Sequence, residues 1–444
     1  MRRRLYLISL GCAKNLVDSE HILGLLSRAR YRVVQKIEEA DLAVISTCAF
    51  IQAAVEESID TILEVSREKR RGRLKGLFVV GCLVQRYGYK LQRELPEVDG
   101  WLGTGEIGRI VEVLEEWENS STPFFCIGAP GSLSNHDVPR LGTAPYYTSY
   151  IKIAEGCSHR CAYCTIPRLR GPLRSRPLDS ILREAEELVG RGVREINLVA
   201  QDTTSYGHDS DDGIRLENLL EALSRRFKGV AWIRVLYAHP KRISHALLDL
   251  LAEGDPICPY LDVPLQHVNR RVLEAMGRAS GRETPRRLLE RIRERVPRIA
   301  LRTTLILGFP GETERAFREL YAFVEWAKFD HLGAFVFSPE EGTPAARFDG
   351  AVERHVAEER RTAILELQAS LLQKKNQGLV GRTLPVLVEG LSEETPFLLT
   401  GRTQAMAPEV DGRVLIRKGE AVVGGFVNVH IRKALAYDLI GEIR

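Results

Sequence analysis

The stretch Ile153-Ala-Glu-Gly-Cys157-Ser-His-Arg-Cys161-Ala-Tyr-Cys164 brings three cysteines together within eight residues. The cysteines come directly after an apolar run, 150–154, and this run predicts a strand that ends just before the first cysteine. Thiolates are the soft ligands that iron-sulfur clusters require, and this spacing lets one loop hold three corners of a four-iron cluster. The fourth iron is then free to bind a substrate or cofactor. A zinc site is the alternative interpretation, but the sequence offers no well-spaced fourth ligand.

The composition is that of an ordinary soluble globular protein. Of 444 residues, 44% are hydrophobic and 27% charged, which leaves room for about three domains. No run approaches the ~20 apolar residues of a membrane span, and the apolar run after Met1 is too short for a secretion signal, so we expect a cytoplasmic protein. Eight cysteines then indicate metal or redox chemistry rather than disulfides, and a net charge of +4 is too small to indicate a nucleic-acid partner.

Three more apolar runs, near the amino terminus, are each followed by a cysteine: Cys12, Cys48 or Cys82. The runs are 5–10, 42–46 and 77–80, and the helical patterns between them are 17–29 and 51–68. This alternation predicts an open parallel α/β sheet. Because the carboxyl ends of parallel strands share one edge of a sheet, we expect the three thiolates to converge there as a second cluster site. The alternative is three separate cysteines buried in the core.

The two sets of cysteines resemble those of the methylthiotransferases, a family of radical S-adenosylmethionine (SAM) enzymes that insert sulfur at a carbon-hydrogen bond and methylate it. The resemblance covers nearly the whole chain, including the loop around Cys157 and the segments Gly11-Cys-Ala-Lys-Asn-Leu-Val-Asp-Ser-Glu20, Thr47-Cys-Ala-Phe-Ile51 and Gly81-Cys-Leu-Val-Gln-Arg-Tyr87. It implies two 4Fe-4S clusters and SAM as cofactors. One cluster, on Cys157, Cys161 and Cys164, reduces SAM to a radical that abstracts hydrogen. The other, on Cys12, Cys48 and Cys82, presents the sulfur.

From residue 150 onward, six predicted strands alternate with helices, which suits the partial (β/α)6 barrel of radical SAM enzymes. The strands are predicted near 150–155, 194–201, 231–237, 259–265, 299–307 and 331–338. By resemblance, we expect SAM to contact Tyr163, Gln201, Thr303 and the turn Gly308-Phe-Pro-Gly311. That turn lacks the lysine of a nucleotide P-loop. No catalytic residue is predicted beyond the cluster ligands.

We predict four segments: an amino-terminal domain at 1–118, a linker at 119–146, the radical SAM core at 147–376 and a small β-barrel at 377–444. The last segment resembles a TRAM domain. TRAM domains often bind RNA, but the eight basic residues of this one are offset by eight acidic residues, a poor match for phosphates. We expect it to dock a protein loop at the barrel mouth, above the cysteine loop. Cys126 and Cys258 are predicted to be spare thiols.

Three motifs favour one substrate within the family. They are Leu10-Gly-Cys-Ala-Lys-Asn-Leu-Val-Asp-Ser-Glu20, Ala200-Gln-Asp-Thr-Thr-Ser-Tyr206 and Ser338-Pro-Glu-Glu-Gly-Thr343. They resemble the branch that modifies the β-carbon of an aspartate in small-subunit ribosomal protein twelve. The first alternative is the branch that modifies a tRNA adenosine, and the second is a non-enzymatic iron-sulfur electron carrier with an RNA-binding tail. The reaction also needs a sulfur donor and an electron donor, which no motif identifies.

Overall fold

The computed structural model describes residues 3–120, 122–130, 138–143, 145–279, 281, 283–392 and 398–444. It confirms the predicted mixed α/β fold class. An amino-terminal parallel sheet is followed by a partial barrel of six strands and by a closed barrel of five strands. Parts of the predicted linker, at 121, 131–137 and 144, lie outside the described residues.

The amino-terminal sheet has six parallel strands in the order β2-β1-β3-β4-β5-β6. Its strands are β1 (Arg3–Ser9), β2 (Tyr31–Val33), β3 (Leu42–Thr47), β4 (Gly76–Gly81), β5 (Gly100–Leu102) and β6 (Phe124–Cys126). Its helices are α1 (Ala13–Arg28), α2 (Gln52–Arg70), α3 (Cys82–Glu94) and α4 (Ile110–Ser120). The sequence analysis missed β2, β5 and β6 because runs of three residues carry no periodic pattern. The edge strand β6 lies within the predicted linker.

Strands β3 and β4 form the centre of this sheet and are buried on both faces. Alternate residues of β4 point to opposite sides, so that Val79 packs in one hydrophobic cluster and Val80 in another. This double burial explains the continuous apolar runs seen in the sequence. The register pairs Ser9 with Ser46, and Thr47 with Gly81, so the carboxyl ends of β1, β3 and β4 lie side by side.

The central region is the predicted partial barrel. Its strands are β7 (Thr148–Lys152), β8 (Ala154–Glu155), β9 (Arg174–Ser175), β10 (Glu195–Val199), β11 (Trp232–Val235), β12 (Tyr260–Asp262), β13 (Ala300–Leu307) and β14 (His331–Val336). Its helices are α5 (Ile166–Arg170), α6 (Leu178–Gly190), α7 (Leu216–Phe227), α8 (His245–Glu253), α9 (Arg270–Ala275), α10 (Pro285–Arg295), α11 (Glu314–Ala327) and α12 (Arg354–Gln377). The parallel sheets β7-β10-β11 and β12-β13-β14 form the wall, while β8 and β9 pair beside the cysteine loop.

The carboxyl-terminal barrel contains β15 (Thr383–Leu391), β16 (Leu399–Arg402), β17 (Val414–Lys418), β18 (Phe426–Ala434) and β19 (Leu439–Ile443). The strands close in the order β15-β16-β17-β19-β18, which leaves no free edge. Helix α12 leads directly into this barrel, and the amide of Asn376 near the end of α12 donates hydrogen bonds to the carbonyls of Leu435 and Ala436.

Buried ion pairs attach the small barrel to the amino ends of the large barrel's strands. The Arg402 guanidinium donates to Glu195, the first residue of β10, at 2.6 Å, and Arg234 of β11 donates to the same carboxylate at 2.9 Å. Asp411 accepts from Arg302 of β13 at 2.7 Å. The cysteine loop follows the carboxyl end of the first strand, which is the opposite end of the barrel. The expectation that the small barrel lies above the cysteine loop is therefore wrong.

Replacing Arg402 by leucine should destabilise the protein strongly because it removes one of the two arginines that pair with the buried carboxylate of Glu195. Burial opposes ionisation of Glu195, but the charges of Arg402 and Arg234 outweigh it and lower its pKa to about 2. Removing one partner of a buried ion pair costs about 3 to 5 kcal/mol. Urea unfolding at pH 7 measures this loss. Arg432→Leu, which removes an exposed pair with Glu442, is the control and should cost far less.

The same pair predicts a pH dependence. Because the folded pKa of Glu195 lies below that of the unfolded chain, its contribution to stability is complete above about pH 4.5 and is lost as the pH falls toward 2. Arg402→Leu should flatten the decline of the urea midpoint over this range. An unchanged decline would contradict the assignment of this stabilisation to the Arg402 pair.

Candidate active site

The loop that carries Cys157, Cys161 and Cys164 has a defined conformation. The amide of Cys164 donates to the carbonyl of Cys161 at 3.1 Å, which turns the chain back on itself. Gly156 precedes the loop with a φ of +80°, and a Cβ there would lie 2.0 Å from the carbonyl oxygen of Pro172. Only glycine fits this close approach. The loop thus presents three partly exposed thiols, as a cluster with one open iron would require.

The three thiols of this loop interact electrostatically. Burial, together with the charges of neighbouring thiols of the loop, raises the pKa of Cys157 to about 11 and that of Cys164 to about 12. The Arg278 guanidinium lies 3.9 Å from the sulfur of Cys161. As thiolates, three neighbouring cysteines repel one another. Binding to the positively charged irons of a cluster would stabilise their deprotonated form. The chemistry of the loop therefore fits an iron-sulfur cluster.

A histidine within the loop connects it to the next barrel strand. The Nε2 atom of His159 lies 2.7 Å from the carboxylate of Asp202, and its ring stacks on His239 at a centroid distance of 4.0 Å. Asp202 also accepts from the hydroxyls of Thr204 and Ser205, at 2.6 and 2.5 Å. Burial opposes ionisation of Asp202, but these hydrogen bonds outweigh it and lower its pKa. Asp202 thus anchors the loop, a role that the sequence analysis did not assign.

Tyr163 and Gln201, two of the residues predicted to contact SAM, lie close to the loop. Tyr163 packs against the buried cluster that contains Met276 and Phe309. Gln201, two residues after the end of β10, donates from Nε2 to the carboxylate of Glu155 at 2.6 Å. This bond leaves the Gln201 carbonyl oxygen available to a ligand.

Thr303, a third residue predicted to contact SAM, instead bonds within the wall of the barrel. Its hydroxyl donates to the carbonyl of Val263 at 2.8 Å, and its side chain is fully buried. It lies on the same face of β13 as Leu301 and Leu305, which pack in the core between strands and helices. Thr304 occupies the other face of the strand and is partly exposed. The side chain of Thr304, rather than that of Thr303, therefore points to the barrel interior.

The predicted turn from Gly308 to Gly311 closes tightly against helix α12. Gly308 has a φ of +75°, and a Cβ there would lie 2.4 Å from the Cβ of Ala357. Its amide donates to the carboxylate of Glu312 at 3.0 Å, and the amide of Gly311 donates to the carbonyl of Gly350 at 2.9 Å. Both glycines therefore have a structural role in the turn at the carboxyl end of β13.

Some buried polar atoms without a hydrogen-bond partner belong to residues that follow barrel strands or contact the cysteine loop. Within the part of the chain that the structure describes, they include Thr165 Oγ1, Gln201 Oε1, Gln266 Oε1 and Arg278 Nε. An unpaired buried polar group costs about 1 to 3 kcal/mol, so such a group of donors and acceptors indicates a bound polar ligand. SAM, with amino, carboxylate and hydroxyl groups, fits this set.

The structure also brings Cys12, Cys48 and Cys82 together, at the carboxyl ends of β1, β3 and β4. A Cβ on Gly11 would lie 3.1 Å from the sulfur of Cys48, and Asn15 lies 4.0 Å from the sulfur of Cys82. Cys48 and Cys82 are buried, whereas Cys12 is exposed. An exposed member disagrees with the alternative of three core cysteines. Three cysteines at one edge of the sheet, one of them exposed, fit a second iron-sulfur cluster with one accessible side.

Arg170 connects the second triad to the barrel. It lies at the end of α5, six residues after Cys164 in the sequence, and its Nε atom donates to the sulfur of Cys82 at 3.3 Å. The same buried guanidinium donates to Asp18 of α1 at 2.6 Å and contacts Glu155 at 3.4 Å. Burial raises the pKa of Cys82 to about 11, and the charge of Arg170 opposes this rise. No spacing in the sequence signals this contact.

The two cysteines outside the triads lie elsewhere. Cys126, in the edge strand β6, accepts from Arg109 at 3.0 Å. Cys258 is fully buried in the hydrophobic cluster that lines the barrel interior together with Tyr150 and Val199. Their roles as spare thiols stay predictions.

Three family models match the chain. "Uncharacterized protein family UPF0004" matches 4–103, "Radical SAM superfamily" matches 151–324 and "TRAM domain" matches 380–443. The chain is 48% identical over 443 residues to ribosomal protein uS12 methylthiotransferase RimO of Pelobacter propionicus, which covers 100% of this chain and 98% of the relative. The chain belongs to the RimO family of methylthiotransferases. A RimO protein of Geotalea uraniireducens is also 48% identical, over 100% of this chain and 99% of its own.

Solved structures agree with this family at the level of the fold. The radical SAM methyltransferase TsrM from Kitasatospora setae superposes with a TM-score of 0.58 at 14% sequence identity, covering 85% of this chain and 90% of that chain. A second TsrM structure, with cobalamin and a [4Fe-4S] cluster bound, gives a TM-score of 0.55 at 16% identity, over 78% of this chain and 74% of that chain. Among the described residues, no helix has the length and apolar character needed to cross a membrane.

Proposed function

We propose that this member of the RimO family adds a methylthio group to the β-carbon of an aspartate in ribosomal protein uS12 of the small subunit. The observation that carries the proposal is the full-length similarity, at 48% identity, to relatives named for modification of uS12. The cofactors are SAM and 4Fe-4S clusters, as the radical SAM family and the fold require. A ribosomal substrate supports a cytoplasmic site of action.

We assign one cluster to Cys157, Cys161 and Cys164, and the second to Cys12, Cys48 and Cys82. The fit of both triads, described above, supports this assignment. When bound, the clusters and SAM supply the radical that removes hydrogen from carbon and the sulfur and methyl groups that replace it. In this proposal the protein's own residues hold the two clusters, exclude water from them and orient the substrate.

The contacts of SAM also belong to this proposal. We assign them to Tyr163, Gln201 and the turn from Gly308 to Gly311, supported by the position of each at a carboxyl strand end. The carbonyl oxygen of Gln201, which is buried and has no hydrogen-bond partner among the described residues, supports its assignment as an acceptor for the cofactor. Thr303 is left out of this set, because its side chain is buried in the core and its hydroxyl donates to the carbonyl of Val263, and Thr304 is proposed in its place.

The proposed domains are 1–118, the linker 119–146, 147–376 and 377–444. The three family models fall inside the three domains, which supports the division. Strand β6 nevertheless adds the first part of the linker to the amino-terminal sheet. The first part of the linker therefore belongs to the amino-terminal sheet, and the chain crosses to the barrel after it.

The small barrel favours a protein substrate over tRNA. Its basic residue Arg402 is committed to a buried carboxylate, and Arg432 is paired with Glu442. Binding of phosphate groups depends on free basic side chains at the surface. A tRNA adenosine methylthiotransferase is the alternative function, and an iron-sulfur electron carrier is the alternative of another class.

The two triads predict about eight irons per chain in the reconstituted protein. Replacing Cys157, Cys161 and Cys164 together by alanine should halve the iron and abolish SAM cleavage, because the iron that binds SAM is lost. Replacing Cys12, Cys48 and Cys82 should halve the iron and preserve cleavage. Iron analysis and detection of 5′-deoxyadenosine under anaerobic conditions measure both. Full iron in the second variant would disprove the site, and wild-type protein without cleavage would favour an electron carrier.

Deletion of the gene tests the substrate. We expect uS12 from the deletion strain to lack the mass of one methylthio group, and tRNA from that strain to keep its methylthio adenosine. Mass spectrometry of both molecules, with the complemented strain as control, decides between the two branches. A deletion that removes the tRNA modification and leaves uS12 modified would assign the enzyme to the tRNA branch.

A further inference from the structure

Lys14 lies between the second cysteine triad and the barrel. It follows Cys12 by two residues, in the first turn of α1. Its ammonium stands 3.6 Å from the ring centroid of Tyr237, which follows the carboxyl end of strand β11. Neighbouring residues of the same turn, Ala13 and Leu16, pack in the hydrophobic cluster that lines the barrel interior. The ammonium is therefore placed where the sheet edge meets the barrel.

Tyr237 is held in an unusual conformation beneath this ammonium. Its φ of 60° lies in the left-handed region, which is strained for a bulky side chain. The backbone is fixed on both sides, because its carbonyl accepts from the amide of Thr203 at 3.1 Å and its amide donates to Asp262 at 3.2 Å. A strained backbone held in this way fixes the ring and, through the cation-π contact, the ammonium of Lys14.

Other cations near the triads are already engaged. Arg170 and Lys152 both bind Asp18 and Glu155. Arg278 lies against Cys161 and donates to a backbone carbonyl, on the side of the proposed SAM site.

Lys14 differs from these cations. Among the residues that the structure describes, no carboxylate forms an ion pair with its ammonium. Asp262 interacts electrostatically with Lys14 but forms no ion pair with it, because its carboxylate accepts from the backbone amide of Tyr237 and lies 3.9 Å from Arg302. A partly exposed ammonium that forms no ion pair within the described part of the chain is suited to an anionic ligand.

We propose that Lys14 binds the side-chain carboxylate of the aspartate that the enzyme modifies. This inference rests on the proposed function, which makes an aspartate the substrate. In aspartate the β-carbon is bonded directly to the carboxyl carbon, so fixing the carboxylate also fixes the reacting carbon. Placing it at Lys14 brings that carbon next to Cys12, the exposed member of the second triad. Lys14 is then a residue that positions the substrate and selects aspartate over an uncharged side chain.

The assignment predicts that discrimination between aspartate and asparagine depends on Lys14. The probe is uS12, used as wild type and with its modified aspartate, located by mass spectrometry, changed to asparagine. Reconstituted wild-type enzyme should bind the aspartate form about 10 to 100 times more tightly, the range expected for a hydrogen bond between charged groups. In Lys14→Met this ratio should fall to near 1, and Lys14→Arg should restore part of it. Lys90→Met, at an exposed position of α3, should keep the wild-type ratio.

Iron content and SAM cleavage are measured on every variant, because Lys14 is close to Cys12. Lys14→Gln, which retains hydrogen-bond donors without the charge, serves if Lys14→Met loses iron, and should also abolish the ratio. A wild-type ratio in either neutral variant with full iron would overturn the role of Lys14. If wild-type enzyme transfers no methylthio group to uS12, the proposed function itself fails, which is a different result from retained discrimination.

Discussion

The buried guanidinium of Arg170 is the interaction on which the relation between the two cysteine triads depends. It belongs to the barrel but contacts Cys82 and Asp18 of the amino-terminal domain. Burial opposes its charge, yet its carboxylate and thiol neighbours outweigh this and raise its pKa well above the usual value. A buried charge of this kind cannot lose its partners without a cost of several kcal/mol. The two domains are therefore held in one arrangement, in which Arg170 links the second triad to the barrel.

A second set of contacts holds the opposite end of the barrel. Arg402 of the small barrel binds Glu195 at the amino end of β10. Between the two ends, residues of α1, of the barrel strands and of the small barrel form one hydrophobic cluster, which includes Val17, Val199 and Leu387. The amino-terminal and carboxyl-terminal domains thus both contribute to filling the barrel interior. Burial of this apolar surface excludes water from the region behind the cysteine triads, as radical chemistry requires.

Much of this arrangement could be predicted from the sequence, because it depends on local patterns. Cysteines placed after strands predict convergence once the sheet is known to be parallel, and the structure brings Cys12, Cys48 and Cys82 to one edge. The contacts of Arg170 and Lys14 could not be predicted, since they join segments that are distant in the sequence. The choice between Thr303 and Thr304 depends on which residues of β13 face the barrel interior. The apolar pattern does not decide this, because a shift of one residue exchanges the two faces of a strand. The position of the small barrel depends on ion pairs whose partners carry no motif.

Iron anomalous diffraction from crystals of the anaerobically reconstituted protein tests the central claim most directly. The account predicts two groups of four irons, one on the loop from Cys157 to Cys164 and one on Cys12, Cys48 and Cys82. Each should have one iron without a protein ligand, and both of these irons should face a single cavity bordered by Tyr237. Iron at only one triad, or two clusters whose open irons face separate cavities, would contradict it.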